Sequence, residues 1–366
     1  MRILHVNKFY PPHLGGVEFV VQEITEGFAE EMEIDVLVCH EKKGSTNEQV
    51  EGNVRIVRAR SWGTVLRMPI SFDFFVRYRE MVKKADIVLV HHPFPLGFLA
   101  AAFFGRSKPL FVFYHSDIVK QKIAGLLIKP LLNRVFTQAK GIFVTSKNLC
   151  RYSEILKSYR EKCIVTPLWV QTEKFTQGDF SESSRLIRRK YGSPLVLGVG
   201  RLVYYKGFQY LIRAMKSLSA HLLIIGNGPL KKELNALIAD LKIQDRVSII
   251  DPVEDLAPYF HACDIFAFPS THPSEAFGLV QLEAMLCEKP IVNTLLPSGV
   301  PEVSVDRKTG LTVEPADTKA LTLALHTLLK NKEIALQLGK QGKEHAMGYK
   351  KETTLEIIKQ AFTKAL

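Results

Sequence analysis

Short apolar runs alternate along this chain with longer segments whose apolar positions recur every three or four residues. Arg2 to Asn7, Ile34 to Cys39, Val54 to Arg58, Ile87 to His91, Leu110 to Tyr114, Ile142 to Thr145 and Cys163 to Thr166 form a first series of runs. A second series comprises Leu195 to Val199, Leu222 to Ile225, Val247 to Ile250, Ile265 to Phe268 and Pro290 to Asn293. Runs this apolar predict strands covered on both faces, and so mostly parallel sheets flanked by helices. Two series predict two doubly wound α/β domains, each with its site at the carboxyl ends of its strands. Between Trp169 and Ser184 the pattern dissolves into polar residues with Gly178, Asp179 and three serines, which reads as a linker and the approach to the second domain.

Composition supports two domains. The chain has 366 residues, 46% of them hydrophobic, enough to bury two cores. Its start, Met-Arg-Ile-Leu-His-Val, reads as a short strand and not as a secretory leader, and no apolar run approaches the roughly 20 residues of a membrane-spanning helix. Cys39, Cys150, Cys163, Cys263 and Cys287 are scattered without Cys-x-x-Cys spacing, so neither a disulfide framework nor a zinc site is expected and the expected compartment is the cytosol.

The net charge of +12 is concentrated. Between Arg106 and Lys162 twelve Lys and Arg stand against Asp117, Glu154 and Glu161. Within that region, Ile118 to Lys140 interleaves Lys120, Lys122, Lys129, Arg134 and Lys140 with Ile123, Leu126, Leu127, Leu131, Leu132, Val135 and Phe136. The pattern fits a basic amphipathic helix on an anionic leaflet, and equally an ordinary helix with one face in the core and a solvated basic face. No nucleic-acid motif with interleaved aromatics accompanies the charge.

Chemistry is concentrated in Ser274-Glu-Ala-Phe-Gly-Leu-Val-Gln-Leu-Glu-Ala-Met285. Phe277 to Cys287 is expected to be a helix, with Glu283 among Val280, Leu282, Met285 and Leu286, where an unpaired charge costs several kcal/mol. Glu275 precedes that helix, so it faces what the free first-turn amides face. A phosphorylated sugar suits the pair, with its anion on the amides and its hydroxyls on the carboxylates; a capping glutamate plus a buried ion pair is the plainer alternative. Gly200-Arg201-Leu-Val-Tyr-Tyr-Lys206-Gly207, directly after a strand, can aim two cations and a helix start at one diphosphate. Gly15-Gly16, between the first strand and the first long helix, lets a backbone approach a ligand closely. Neither Gly-Gly-Val-Glu18 nor Gly226-Asn-Gly228-Pro229 has the spacing of a dinucleotide fingerprint, which disfavours a nicotinamide enzyme. Tyr114-His115-Ser116-Asp117 ends another strand, with Asp117 expected to orient the His115 ring. His91 and His92 end a further strand and are candidates for an acceptor side.

Taken in order, the Glu-x7-Glu segment, the Asp264-Ile-Phe-Ala-Phe-Pro-Ser270 strand before it, and Lys289-Pro-Ile-Val-Asn293, Ser298-Gly-Val-Pro-Glu302 and Thr309-Gly-Leu-Thr-Val313 after it resemble the retaining glycosyltransferases of family four. The resemblance covers most of the chain. It implies the GT-B architecture: two Rossmann-like doubly wound domains facing a central cleft, here 1–170 on the acceptor side and 171–349 for the nucleotide sugar, with 350–366 crossing back onto the first. It implies that Glu275 contacts the transferred sugar, that Glu283 holds ribose hydroxyls, and that the backbone of Phe277, Gly278, Leu279 and Val280 binds the diphosphate. Arg201 and Lys206 match the diphosphate-binding pair, and Gly15 and Gly16 the loop near the donor phosphates. His115 matches a histidine that contacts the donor sugar near the reacting centre, and the His-Ser-Asp form is shared with some polysaccharide mannosyltransferases. The implied enzyme is a hexosyltransferase that takes a nucleotide sugar, GDP-mannose foremost, and an oligosaccharide acceptor carried on lipid in polysaccharide or O-antigen assembly. A UDP-sugar enzyme of the same fold, or a non-catalytic sugar-nucleotide or polysaccharide-binding module, remains the alternative. No Asp-x-Asp pair occurs, so the expectation is a metal-independent front-face mechanism without a cofactor, in a cytoplasmic protein peripheral to the inner face of the plasma membrane.

Overall fold

The computed structural model of the protein describes residues 1–13, 15–65, 68–105, 108–117 and 122–366, and for 122–128 the backbone alone. The chain divides into two units, Met1–Pro167 with Glu352–Leu366, and Leu168–Lys351.

The first unit is built on β1 (Arg2–Val6), β2 (Glu33–Cys39), β3 (Asn47–Glu51), β4 (Val54–Ala59), β7 (Ile87–His92), β8 (Leu110–Tyr114), β9 (Gly141–Val144) and β10 (Cys163–Val165), with β5 (Thr64–Val65) and β6 (Met68–Pro69) as a separate small hairpin. Their order in the sheet is β10-β9-β8-β7-β1-β2-β4-β3. All pairs are parallel except β3 on β4. Ile3 of β1 aligns with Ile34 on one side and Ile87 on the other, both buried, which is why these strands read as unbroken apolar runs. β3 escaped the apolar pattern because all five of its residues are exposed at the sheet edge. From β1 the chain moves outward to β2 and β4, then returns across β1 to β7. The sheet therefore splays its outgoing loops between β1 and β7. Helices α1 (Gly16–Phe28), α2 (Asp73–Lys84), α3 (Pro95–Phe104) and α4 (Lys122–Gln138) cover its faces.

The last helix, Lys351–Ala365, completes this unit. Its Phe362 ring lies 5.0 Å from Phe111 and 6.1 Å from Phe28, and Thr354 Oγ1 donates to the Pro167 carbonyl at 2.6 Å.

The second unit holds β11 (Leu195–Val199), β12 (His221–Ile225), β13 (Val247–Ile250), β14 (Ile265–Ala267), β15 (Ile291–Thr294) and β16 (Gly310–Val313), all parallel, in the order β13-β12-β11-β14-β15-β16. Here the switch lies between β11 and β14.

Two expectations need correction. Residues 169–184 are not a linker: Thr172–Thr176 and Ser181–Tyr191 are helical, and Trp169, Val170 and Phe175 are buried in the second unit. A few apolar side chains tie that polar segment down. The helix expected over Phe277–Cys287 is Val280–Leu286, because Gly278 takes φ +82° and turns the chain just before it.

Candidate functional site

The loops that leave β11 and β14 at the switch point are sewn together. The Thr271 amide donates to the Tyr205 carbonyl at 2.7 Å, and Gly207, at φ +69°, lies so close that a Cβ there would sit 1.9 Å from the Pro269 carbonyl oxygen. This contact carries Lys206 across to Glu275. Lys206 Nζ lies 2.6 Å from Glu275 Oε2, with both side chains only 13% exposed, and 4.8 Å from the centre of the Phe268 ring. Ser270 Oγ adds a long hydrogen bond to the same carboxylate oxygen at 3.4 Å. The Lys206 cation is thus held near an aromatic face and paired with a mostly buried carboxylate, where charges are screened less than at the surface.

Beside that pair, the amides of Ala276, Phe277, Gly278, Leu279 and Val280 meet no acceptor among the described residues. Five successive N–H groups without an acceptor among the described residues suit an anion. The loop that carries them is fixed from beneath. Gln281, fully buried, aims Nε2 at the carbonyls of Phe277, Gly278 and Val300 at 3.4–3.5 Å and accepts from Asn293 Nδ2 at 3.0 Å. Asn293 in turn donates to the carbonyls of Val300 and Ser304, both at 3.1 Å, and accepts from Thr312 Oγ1 at 2.7 Å. Sequence reasoning missed this polar chain. Its signal was available: an amide within an apolar helix, and another ending an apolar strand.

Glu283 stands in the first turn of that helix, partly exposed and without a hydrogen bond or ion pair to its carboxylate among the described residues. Burial pushes its carboxyl up to about 7, while Lys174 pulls weakly the other way. The buried ion pair of the plainer alternative is therefore not what meets Glu283. Arg201 is exposed. It borders a hollow of about 400 Å³ at the ends of β11, β12 and β13, lined by Val199, Ile225, Asn227, Val253 and Leu256 among others. The glycines of Gly226-Asn227-Gly228 serve packing, since a Cβ on Gly226 would fall 1.9 Å from the Gly200 carbonyl oxygen and one on Gly228 2.4 Å from that of Leu202.

In the first unit the structure corrects three expectations. His91 is wholly buried and is the middle member of a hydrogen-bonded chain: Thr25 Oγ1 to His5 Nδ1 at 2.9 Å, His5 Nε2 to His91 Nε2 at 2.5 Å, and His91 Nδ1 to His115 Nε2 at 2.7 Å. His92 is buried too, stacked on Tyr114 at 4.3 Å with Nδ1 directed at the Ser116 carbonyl, so neither ring lines an open face. Asp117 does not orient His115; its carboxylate accepts from the Tyr114 hydroxyl and from Ser153 Oγ. His91 and the stacked Phe113, 4.7 Å away, hold the His115 ring instead.

Hydrogen-bond direction fixes the tautomers. Thr25 donates its one proton to the Val21 carbonyl at 2.7 Å, so it accepts from His5 Nδ1–H. His5 Nε2 is then an acceptor, which requires N–H at His91 Nε2 and, by the same step, at His115 Nε2. His115 Nδ1 is left as a lone pair. Burial holds His5 and His115 down at about 3 and His91 well below its ordinary value, so the chain is neutral near pH 7.

Gly15, extended at φ −168°, caps α1 with the Glu18 side chain folded against it, and Gly16 has open space around it. Among the described residues no group of three or more His, Cys, Asp or Glu side chains could hold a metal ion.

Residues 14–174 match the glycosyltransferase family 4 description and 180–345 the glycosyl transferases group 1 description. The D-rhamnosyltransferase WbpZ of Pseudomonas aeruginosa is 30% identical over 344 residues, covering 93% of this chain and 90% of its own length. The O-antigen chain mannosyltransferase C of Escherichia coli is 29% identical over 350 residues, covering 94% and 92%. Anabaena HepE, solved in complex with UDP, superposes with a TM-score of 0.81 at 18% identity over the full length of both chains, which establishes the GT-B fold.

Proposed function

This chain belongs to the family 4 glycosyltransferases, and from that premise we propose that it transfers a hexose of manno configuration, from GDP-mannose in the first instance, to a lipid-linked oligosaccharide during assembly of a cell-surface polysaccharide. The observation that carries the proposal is the meeting of Lys206 and Glu275 at the switch point, beside five amides without acceptors. Glu275 takes hydroxyls of the transferred hexose. Lys206, Arg201 and the amides of 276–280 take the diphosphate, and Glu283 takes the ribose. As the bond from the anomeric carbon to the phosphate oxygen breaks, the negative charge that develops on the diphosphate falls on cations and dipoles already in place. The acceptor hydroxyl adds to the same face of the sugar and passes its proton to the departing phosphate oxygen, so configuration is retained. No metal is required in this scheme, because the positive charge comes from Lys206, Arg201 and the backbone. His115 keeps the donor-sugar role that family resemblance implies, as do Gly15 and Gly16.

The choice of sugar leans on two relatives. D-rhamnose is 6-deoxymannose, so a rhamnosyltransferase and a mannosyltransferase share a donor configuration and differ at C6. A UDP-sugar is the second reading, favoured by the UDP bound to HepE. Incubating the purified protein with GDP-mannose, GDP-rhamnose and several UDP-sugars, with a lipid extract as acceptor, decides between them. Turnover only with a UDP-sugar overturns the GDP assignment, and none with any donor overturns the whole reading. By the same reasoning the enzyme works on the cytoplasmic face of the membrane, where nucleotide sugars are available.

A further inference from the structure

The basic segment 118–140 fits a membrane surface or an ordinary half-buried helix on its sequence, and a separate candidate surface lies elsewhere in the first unit. Residues 118–121 and the side chains of 122–128 lie outside the described residues, and farther along α4 the apolar Leu132, Val135 and Phe136 are core. Most of the exposed large apolar side chains of the first unit lie around the β5–β6 hairpin and on the outer side of α2 and α3. Trp62 is 48% exposed and Phe72 70%, their rings edge to face at 5.5 Å. Val76, 53% exposed, follows Phe72 by one helical turn, and Arg79 follows Val76 on the same side of α2. The Arg79 guanidinium lies 5.9 Å from the ring of Phe104, next to the 59% exposed Phe103, over which Arg134 of α4 sits at 5.4 Å. At the other end Arg60 stands 5.8 Å from the Trp62 ring. One stripe thus runs from the hairpin across two helices.

Single exposed apolar residues are ordinary, but a contiguous run of them with arginines laid on their rings needs a partner. Charge decides which. Arg60, Arg79 and Arg134 make no ion pair among the described residues. The nearby acids are engaged: Asp73 accepts from Thr46, the Arg60 amide and Arg77, and Glu80 is bridged by Arg77. A second copy docking through the same patch would bring like cations together. An anionic bilayer answers both features, since aromatic rings settle at the boundary of the acyl chains while arginines reach phosphates at the headgroup level.

We propose that the stripe from Trp62 through Phe72, Val76 and Arg79 to Phe103 and Arg134 is the surface by which this protein lies on anionic phospholipid. The inference rests on the proposed lipid-linked acceptor for its purpose only; the binding itself is separately testable. Trp62 is a built-in reporter, because Trp169, the other tryptophan, is buried. In a Trp169→Phe background, vesicles rich in phosphatidylglycerol should carry the protein down on sedimentation and shift the Trp62 emission to shorter wavelength, and pure phosphatidylcholine should do neither. Arg79→Glu and Arg134→Glu should each weaken binding by about fivefold or more, and added salt should weaken it further. Phe72→Ser with Val76→Ser should weaken it while leaving the salt dependence in place. Unchanged melting temperatures would show that these variants fold, and unchanged donor hydrolysis would separate this result from the transferase reading. The proposal is overturned if the protein sediments with no shift of Trp62, if the variants bind as well as the parent, or if light scattering shows a dimer that Phe72→Ser dissolves.

Discussion

Replacing Glu283 by Gln should weaken binding of a nucleotide diphosphate and, above pH 7, raise the melting temperature of the free protein. Both effects follow from a carboxyl that burial pushes from its ordinary 4.5 up to about 7. If ribose hydroxyls donate to it, the bound form is the carboxylate, and its pKa in the complex returns toward the ordinary value. The wild-type association constant should then fall about tenfold between pH 8 and pH 6, with about half a proton released per nucleotide bound near pH 7. The nucleotide's own phosphate titrates in this range, but identically for both proteins. The difference between wild type and Glu283→Gln therefore isolates the side chain.

For stability the sign runs the opposite way from a salt-bridged acid. The folded state binds this proton more tightly than the unfolded one, so the stability the group contributes is whole below about 4.5 and is lost as pH rises through about 7. The deficit above that is at most about 3 kcal/mol, reduced by the partial exposure of the side chain. Glu283→Gln should remove it and gain a few degrees in melting temperature at pH 8 and none at pH 4. Calorimetric titration in buffers of different ionisation enthalpy, beside thermal melts across the same pH range, reads both quantities. An affinity difference that does not change with pH, or a variant that melts below wild type at pH 8, would refute the assignment.

Glu275→Ala and Lys206→Ala should each lower transfer by about 10²- to 10³-fold, the usual loss for one preorganised electrostatic contact, and wild-type turnover in either folded variant would remove the pair from the site. Because the two are paired at 13% exposure, each single variant should melt lower than the double variant, which leaves no charge behind. Transfer should persist in excess chelator; loss of activity restored by magnesium or manganese would reveal a metal requirement. Gly278→Ala should destabilise the second unit by about 1–3 kcal/mol, since its φ is +82° and a Cβ would approach the Phe268 ring to 2.9 Å; an unchanged chemical melt would contradict it. In the first unit, ¹⁵N spectra should show His115 neutral and protonated on Nε2 from about pH 5 to 8, and His91→Phe should allow the other tautomer.

How far the sequence went depended on whether a residue's meaning was local. Strands covered on both faces are continuous apolar runs, so β1, β7, β8 and β11 were legible within a residue, whereas β3, an exposed polar edge, and the four-residue β16 were not. In the second unit, Lys206 and Glu275, which the structure brings together, carry their charge in their own side chains and stand on loops that Gly207 and Gly278 announce. What could not be read was pairing across sequence distance. Nothing near Tyr114 says that Asp117 will be taken up by Ser153, 36 positions on, or that His115 will be held by His91 and, through it, His5. A histidine at a strand end looks the same whether its ring faces solvent or its neighbours in the sheet. Only register decides, and β7 beside both β1 and β8 puts the three rings in line.

The two glutamates of the Glu-x7-Glu segment meet the same problem, a carboxylate held partly out of water, in different ways, and the difference bears on how a donor would enter. Glu275 is paired with Lys206, whereas Glu283 has no ion pair among the described residues and burial pushes its carboxyl up to about 7 against a weak pull from Lys174. A diphosphate approaching the unpaired amides must therefore compete with Glu275 for Lys206, and as it draws the ammonium away it leaves the carboxylate in want of donors. Sugar hydroxyls supply them. Free nucleotide diphosphate breaks the pair without offering that replacement, so it should depend less on Glu275 than an intact nucleotide sugar does. Measured against wild type, Glu275→Ala should lower affinity for a non-hydrolysable nucleotide sugar more than affinity for the bare nucleotide diphosphate. Equal losses for both ligands would mean that Glu275 serves the phosphates through Lys206 and does not touch the sugar.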